Sequence, residues 1–114
     1  MSYTAAEAAR RGYFKEAARL LIDERPLSNR ILRLEIQYYL GDADYVRAKG
    51  PRIFSESKDD PRFAFRAASV LASQYFDEGS TAQSLDYCQR AVQFAELPDQ
   101  LNVAMVPASD AIQK

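Results

Sequence analysis

The clearest hydrophobic pattern in the chain lies over residues 62–97. Within FAFRAASVLASQYF, apolar residues recur at the three- and four-residue spacing of one helix face. They are Ala64, Ala67, Ala68, Leu71, Ala72 and Tyr75. After Gly79, a second stripe contains Leu85, Cys88, Val92 and Ala95, and Pro98 ends it. Since only a short glycine turn separates the stripes, the pattern predicts two helices that pack as antiparallel neighbours.

Polar residues at two positions predict helix N-terminal caps. Ser80 and Gln83 stand at the spacing of a capping box in front of the second stripe. Ser28 precedes NRILRLEIQYYLG, which is apolar on nearly every side and ends at Gly41. A helix of that composition is typical of one buried on more than one side.

The next segment, DADYVRAKGPRIFSESKDDP, predicts an interrupted helix. Gly50 and Pro51 stand in its middle, and a proline inside a helix costs about 3 kcal/mol or more. The sequence therefore predicts a short helix near 43–49, a kink or restart at Pro51, and a loop at 57–61. No alternating run bounded by turn residues indicates a strand anywhere in the chain.

The segment RGYFKEAARLLIDERP, residues 11–26, raises the question of a repeat. Pro26, Pro61 and Pro98 end successive segments at spacings of 35 and 37 residues. Periods of this size are typical of helical repeat proteins. The sequence thus divides into units of about 4–26, 27–61 and 62–98, with residues 99–114 a tail or the start of a further helix, all within one domain over 1–114.

The third unit resembles a tetratricopeptide repeat (TPR). Its matching positions are Leu71-Ala72, the aromatic Tyr75, the turn residue Gly79, and the small residues Ser84 and Ala91. In the first unit, GYFKEA is similar to the start of the second helix of the motif. The middle unit departs from it, because Glu35 occupies a small-residue position and Pro51 is foreign to the pattern. The resemblance implies an all-α fold of tandem antiparallel helical hairpins, a TPR-like α-solenoid of about three imperfect repeats.

The resemblance also implies a groove lined by the first helix of each repeat. Its predicted positions are Arg66, Ser69, Ser73, Phe76 and Asp77 in the third unit, and Asn29, Leu32, Ile36, Tyr39 and Leu40 in the second. Arg66 and Asn29 are expected to bind carboxylate or backbone groups of a peptide, and Tyr39 and Phe76 to supply apolar anchors. The alternative for Leu32, Ile36 and Leu40 is packing against a neighbouring helix, a second copy or the tail.

Composition argues against catalysis. The chain has no histidine, and its four glycines form no phosphate-binding loop. Asp59-Asp60 and Asp77-Glu78 are typical of solvated charge rather than a metal site. Cys88 lies on an apolar stripe, which favours a buried core thiol over a nucleophile. We therefore expect no enzyme activity, no metal and no cofactor.

The net charge and the cysteine content indicate which classes of partner and which cellular compartment are expected. A net charge of −1 without a basic stripe argues against nucleic acid and acidic membranes as partners. One cysteine, no apolar leader and no run of about 18 apolar residues favour a cytoplasmic protein.

The leading hypothesis is a non-catalytic protein–protein interaction module, a scaffold or adaptor that binds a protein or peptide. A small secretion-type chaperone and a repeat fragment of a larger bacterial regulator remain alternatives. The apolar helix over 31–40 further predicts self-association when no partner is present.

Overall fold

The computed structural model describes residues 3–95, and within them the chain forms six α-helices and no strand. The helices are α1 (Ala5–Arg10), α2 (Phe14–Leu20), α3 (Leu27–Tyr39), α4 (Ala43–Glu56), α5 (Pro61–Asp77) and α6 (Thr81–Phe94). The prediction of an all-α fold is therefore confirmed. The predicted tail at 99–114 and the terminal Pro98 lie outside the described residues.

The same turn follows α1, α3 and α5. Gly12, Gly41 and Gly79 have φ of 84°, 83° and 79°, a left-handed conformation that a side chain would strain. In each turn the amide after the glycine donates back to a helix carbonyl five residues earlier: Tyr13 to Ala8, Asp42 to Gln37, and Ser80 to Tyr75. This bond satisfies a carbonyl that would otherwise have no hydrogen-bond partner at the end of the helix. The glycine turns thus end α1, α3 and α5 and join each of them to the next helix along the chain.

Helix α5 is the centre of the main core. Each helix packs on the next one along the chain, and α5 also contacts α3. Its buried face consists of Ala64, Phe65, Ala67, Ala68, Val70, Leu71 and Ala72. At the crossing of α5 and α6, the buried Ser84 hydroxyl donates to the Ala72 carbonyl over 2.9 Å. Small residues at this crossing let the two backbones approach closely.

Helix α3 belongs to two cores at once. Ile31 and Leu34 lie in the main core with α4, α5 and α6. Ile36 lies instead in a smaller cluster with Ala8, Ala17 and Leu21, the residue that follows α2. Burial on two sides explains why the sequence of α3 is apolar almost all round.

The predicted end of the helix near residue 49 and its restart at Pro51 are wrong, because a single helix, α4, runs from Ala43 to Glu56 and contains Pro51. Val46, Ile53 and Phe54 are buried on both sides of the proline, so tertiary packing outweighs its local cost. Close packing explains the glycine at position 50, because a Cβ at Gly50 would lie 2.5 Å from Leu71 Cδ2. The predicted loop that follows is found, since α4 ends at Glu56 and α5 begins at Pro61.

The two predicted serine caps are also wrong in part. Helix α3 begins at Leu27, with Pro26 rather than Ser28 at the N-cap. Ser80 is the N-cap residue of α6, but its side chain makes no capping hydrogen bond. Caps with a bonded side chain occur instead at Thr4, Asp42 and Asp60.

Helix α2 is shorter than its sequence segment suggested. The chain leaves the helix at Leu21 and follows a non-helical path to Pro26. The Arg33 guanidinium of α3 donates to the carbonyls of Ala18 and Leu21, over 3.1 and 2.8 Å. A side chain from the next helix thus satisfies carbonyls at the end of α2.

Candidate functional site: a groove across the odd-numbered helices

A groove of about 690 Å³ crosses α1, α3 and α5. Its lining residues are Ala6, Ala9 and Arg10 of α1; Gly12 and Phe14 after it; Ser28, Asn29, Leu32, Glu35, Ile36 and Tyr39 of α3; and Arg66 of α5. Helix α3 supplies half of the lining because its residues facing the groove recur at helical spacing. Its side chains from Asn29 to Tyr39 span about 15 Å along the helix axis.

The apolar part of the groove ends in an exposed aromatic stack. The rings of Tyr39 and Phe14 lie 4.6 Å apart between centroids and within 11° of parallel. Tyr38 meets the same Tyr39 ring edge-on at 5.2 Å. Tyr39 is nevertheless 62% exposed, while Ile36 below it is fully buried. An aromatic side chain held by its neighbours yet open to solvent is well suited to contact another molecule.

An ion pair joins α3 and α5 inside the groove. The Arg66 guanidinium binds the Glu35 carboxylate through both oxygens, with Nε 3.1 Å from Oε2. The sequence had marked Glu35 only as a departure from a small-residue position. In the structure, Glu35 is the partner of Arg66, so this part of the groove carries a neutralised charge pair.

Asn29 has a structural contact as well as a place in the groove. Its side-chain nitrogen donates to the Asp23 carbonyl over 2.7 Å. This bond ties the start of α3 to the non-helical segment that follows α2. The amide of Asn29 therefore positions one end of the groove.

The structure brings together only part of the predicted set. Asn29, Tyr39 and Arg66 line the groove, as do Leu32 and Ile36, whereas Ser69, Ser73, Phe76, Asp77 and Leu40 do not. Ser69 donates to its own helix at the Phe65 carbonyl over 2.7 Å. Asp77 accepts the Tyr38 hydroxyl over 2.7 Å and so links the C-terminal ends of α5 and α3.

The hydrogen bond between Tyr38 and Asp77 changes the acidity of the phenol. Burial raises the pKa of Tyr38 to about 12, and the nearby Asp77 carboxylate adds to the shift, since a phenolate beside it would be repelled. The Ser73 hydroxyl acts weakly in the opposite direction. Tyr38 and Asp77 thus form a contact that fastens α3 to α5 beyond the groove.

The sequence alone does not predict that residues of α1 line the groove. Ala6, Ala9 and Arg10 line the groove, and Phe14 forms the base of the aromatic stack. The short first unit gave no motif positions from which to place them. The available signal was the pair of small residues at i and i+3 on α1, which leaves room beside α3.

Three findings on the described residues concern metal ligands, the thiol and membrane spans. No group of three or more His, Cys, Asp or Glu is placed to hold a metal ion within residues 3–95. Cys88 is buried, as its apolar stripe predicted, and burial raises the pKa of its thiol. No helix of the described region is long and apolar enough to cross a bilayer.

Comparisons add no relative from which a role could be carried over. No model of a protein family matches this chain, and neither a curated protein nor a solved structure matches it.

Proposed function

We propose that this chain is a non-catalytic protein–protein interaction module that holds a segment of another protein in the groove. The observation that carries the proposal is the groove itself. Tyr39 and Phe14 form an exposed aromatic end, Leu32 and Ile36 an apolar floor, and Arg66 a polar wall. Buried apolar floors with exposed aromatic anchors and a few polar groups are typical of recognition surfaces.

We also infer a TPR-like arrangement, in which α1/α2, α3/α4 and α5/α6 are antiparallel pairs that stack as imperfect repeats. Three observations support it. The same glycine turn joins the helices of each pair. Helix α3 contacts α5, the corresponding helix of the next pair. The groove is lined mainly by α1, α3 and α5, the helices that the resemblance assigns to a binding surface.

The side chains of the groove support binding rather than catalysis. Both oxygens of the Glu35 carboxylate are engaged by the Arg66 guanidinium. The other charged side chain of the lining is Arg10, whose guanidinium offers only hydrogen-bond donors. The chain also contains no histidine.

Photo-crosslinking from inside the groove tests this function. Tyr39 is replaced by p-benzoylphenylalanine, an aromatic photo-crosslinker, in the full chain expressed in its source cells. The matched control carries the same group at Ile22, which is 88% exposed and lies outside the groove. We expect a protein to be captured at position 39 and not at position 22, and mass spectrometry identifies it.

The capture must also depend on the groove. Adding Leu32→Glu to the Tyr39 photo-crosslinking variant places a charge on the apolar floor and should abolish the crosslink, provided that circular dichroism shows an intact helical fold. Equal capture at positions 39 and 22, or no capture at either, would contradict the proposal.

A further inference from the structure

The charge on the groove is unbalanced at one end. Arg66 is neutralised by Glu35, whereas the side chain of Arg10 makes no hydrogen bond or ion pair with any residue between 3 and 95. Arg10 lines the groove from α1, and the stacked rings of Phe14 and Tyr39 line the same groove. A ligand in the groove therefore meets an uncompensated cation next to an apolar surface.

The surroundings of Arg10 reinforce this charge. Residues 3–15 contain the cations Arg10, Arg11 and Lys15 against a single carboxylate, Glu7. The Arg11 guanidinium lies over the Tyr3 ring at 4.9 Å, a contact that leaves its charge intact. The nearby Glu16 is engaged by Arg19. The α1–α2 corner is thus a small basic surface on a protein whose net charge is −1.

We propose that the occupant of the groove is an acidic, apolar segment within a partner protein. It places an apolar or aromatic side chain on the stacked Tyr39 and a side-chain carboxylate against Arg10. This inference rests on the proposed function and adds the chemistry of the ligand. A carboxylate at this end is attracted by Arg10, Arg11 and Lys15, whereas a basic segment is repelled by all three.

The dimensions suit a short segment. A length of about 15 Å along α3 accommodates nearly three turns of helix or about four to five extended residues. Such a segment can carry both an apolar anchor and an acidic residue within one binding length. The bound segment needs no free chain terminus, because the Arg10 guanidinium can donate hydrogen bonds to a side-chain carboxylate as well as to a terminal one.

Selection from a random library tests the ligand chemistry. Twelve-residue peptides are displayed with their C-termini fused to the carrier, so that no terminal carboxylate is available. The full chain is the bait, and enriched peptides are synthesised with blocked ends and measured by fluorescence anisotropy. We expect enriched sequences to combine Asp or Glu with large apolar residues.

Two variants and two matched controls locate the binding. Tyr39→Ala should weaken binding by about tenfold or more, as loss of a central aromatic anchor does. Arg10→Gln should weaken it about two- to fivefold at low salt, and the effect should disappear in high salt or when the peptide acid is changed to its amide. Arg52→Gln, at an exposed arginine of α4, and Ile22→Ala should leave affinity unchanged.

The outcomes separate this inference from the proposed function. Peptides that depend on Tyr39 but lack acidic residues, or bind Arg10→Gln equally well, overturn the acidic ligand and leave the binding module standing. Absence of any Tyr39-dependent peptide overturns both. A dimer abolished by Tyr39→Ala in light scattering, or a synthetic peptide of residues 99–114 that outcompetes every selected peptide, identifies a different occupant and overturns the inference.

Discussion

Changing Gly50 to alanine should destabilise the protein, although the same change inside a helix is normally favourable. Alanine at an interior helix position is better than glycine by about 0.5–1 kcal/mol. Here the new Cβ would lie 2.5 Å from Leu71 Cδ2 and 3.1 Å from Leu71 Cγ. Carbon atoms in contact normally lie about 3.5–4.0 Å apart, so Leu71 must move by roughly 1 Å.

The size of the effect follows from how tightly Leu71 is held. Leu71 is fully buried in the main core, and overpacking such a site costs about 1–3 kcal/mol. Subtracting the helix gain leaves a net loss of up to about 2.5 kcal/mol, centred near 1 kcal/mol, in the free energy of unfolding. Urea denaturation followed by far-ultraviolet circular dichroism measures this difference directly.

A second background and a control isolate the cause. In Leu71→Ala, the colliding side-chain atoms are gone, so adding Gly50→Ala to that variant should stabilise it. Ala48→Gly, at an exposed position of the same helix α4, should cost about 1 kcal/mol and calibrate the propensity term. If Gly50→Ala stabilises the wild-type protein, or if its effect is the same in both backgrounds, the close approach of α4 to α5 is refuted.

Three further predictions concern packing and ionisation. Ala72→Leu should lower the free energy of unfolding by about 1–3 kcal/mol, because Ala72 is buried against Ser84 at the α5–α6 crossing; an unchanged urea midpoint would refute a close crossing. Because the pKa of Tyr38 is raised to about 12, the neutral phenol contributes fully to stability below pH 10, and this contribution is lost as the pH rises towards about 12. Tyr38→Phe should therefore lose less stability than the wild-type protein between pH 10 and about 12. Parallel pH profiles of the two proteins would contradict the raised pKa. Cys88 should react with iodoacetamide at pH 8 much more slowly in the folded chain than in urea, since burial raises its thiol pKa and restricts access; equal rates would show that the thiol is open to solvent.

Most of the secondary structure could be predicted from local patterns. Apolar spacing identified α5 and α6, and Gly41 and Gly79 marked helix ends, because a left-handed residue at a helix end is a local requirement. The predicted restart of the helix at Pro51 is wrong because it, too, was inferred from local information alone. A local rule weighs the cost of a proline in its own helix and contains no term for the core that α4 packs against.

The candidate site was less accessible to sequence. The resemblance to a tetratricopeptide repeat assigned Asn29 and Tyr39 to a groove, and both line the groove of the structure. Ser69 and Asp77 were expected in the same groove but make other contacts, within α5 and with Tyr38. The sequence contains no information on which turn of α5 faces α3, because that depends on the angle and offset at which the two helices pack.

By itself, the sequence determined that the chain is helical and where several helices end. Apolar spacing and glycine turns are both set by contacts between residues a few positions apart. Only the tertiary structure decided that α4 is continuous, that Glu35 neutralises Arg66, and that α1 contributes to the groove an arginine, Arg10, whose side chain has no ion-pair partner among residues 3–95. Each of these depends on groups from different helices. Their separation is set by how whole helices pack, and helix packing balances many buried contacts that no short stretch of sequence contains.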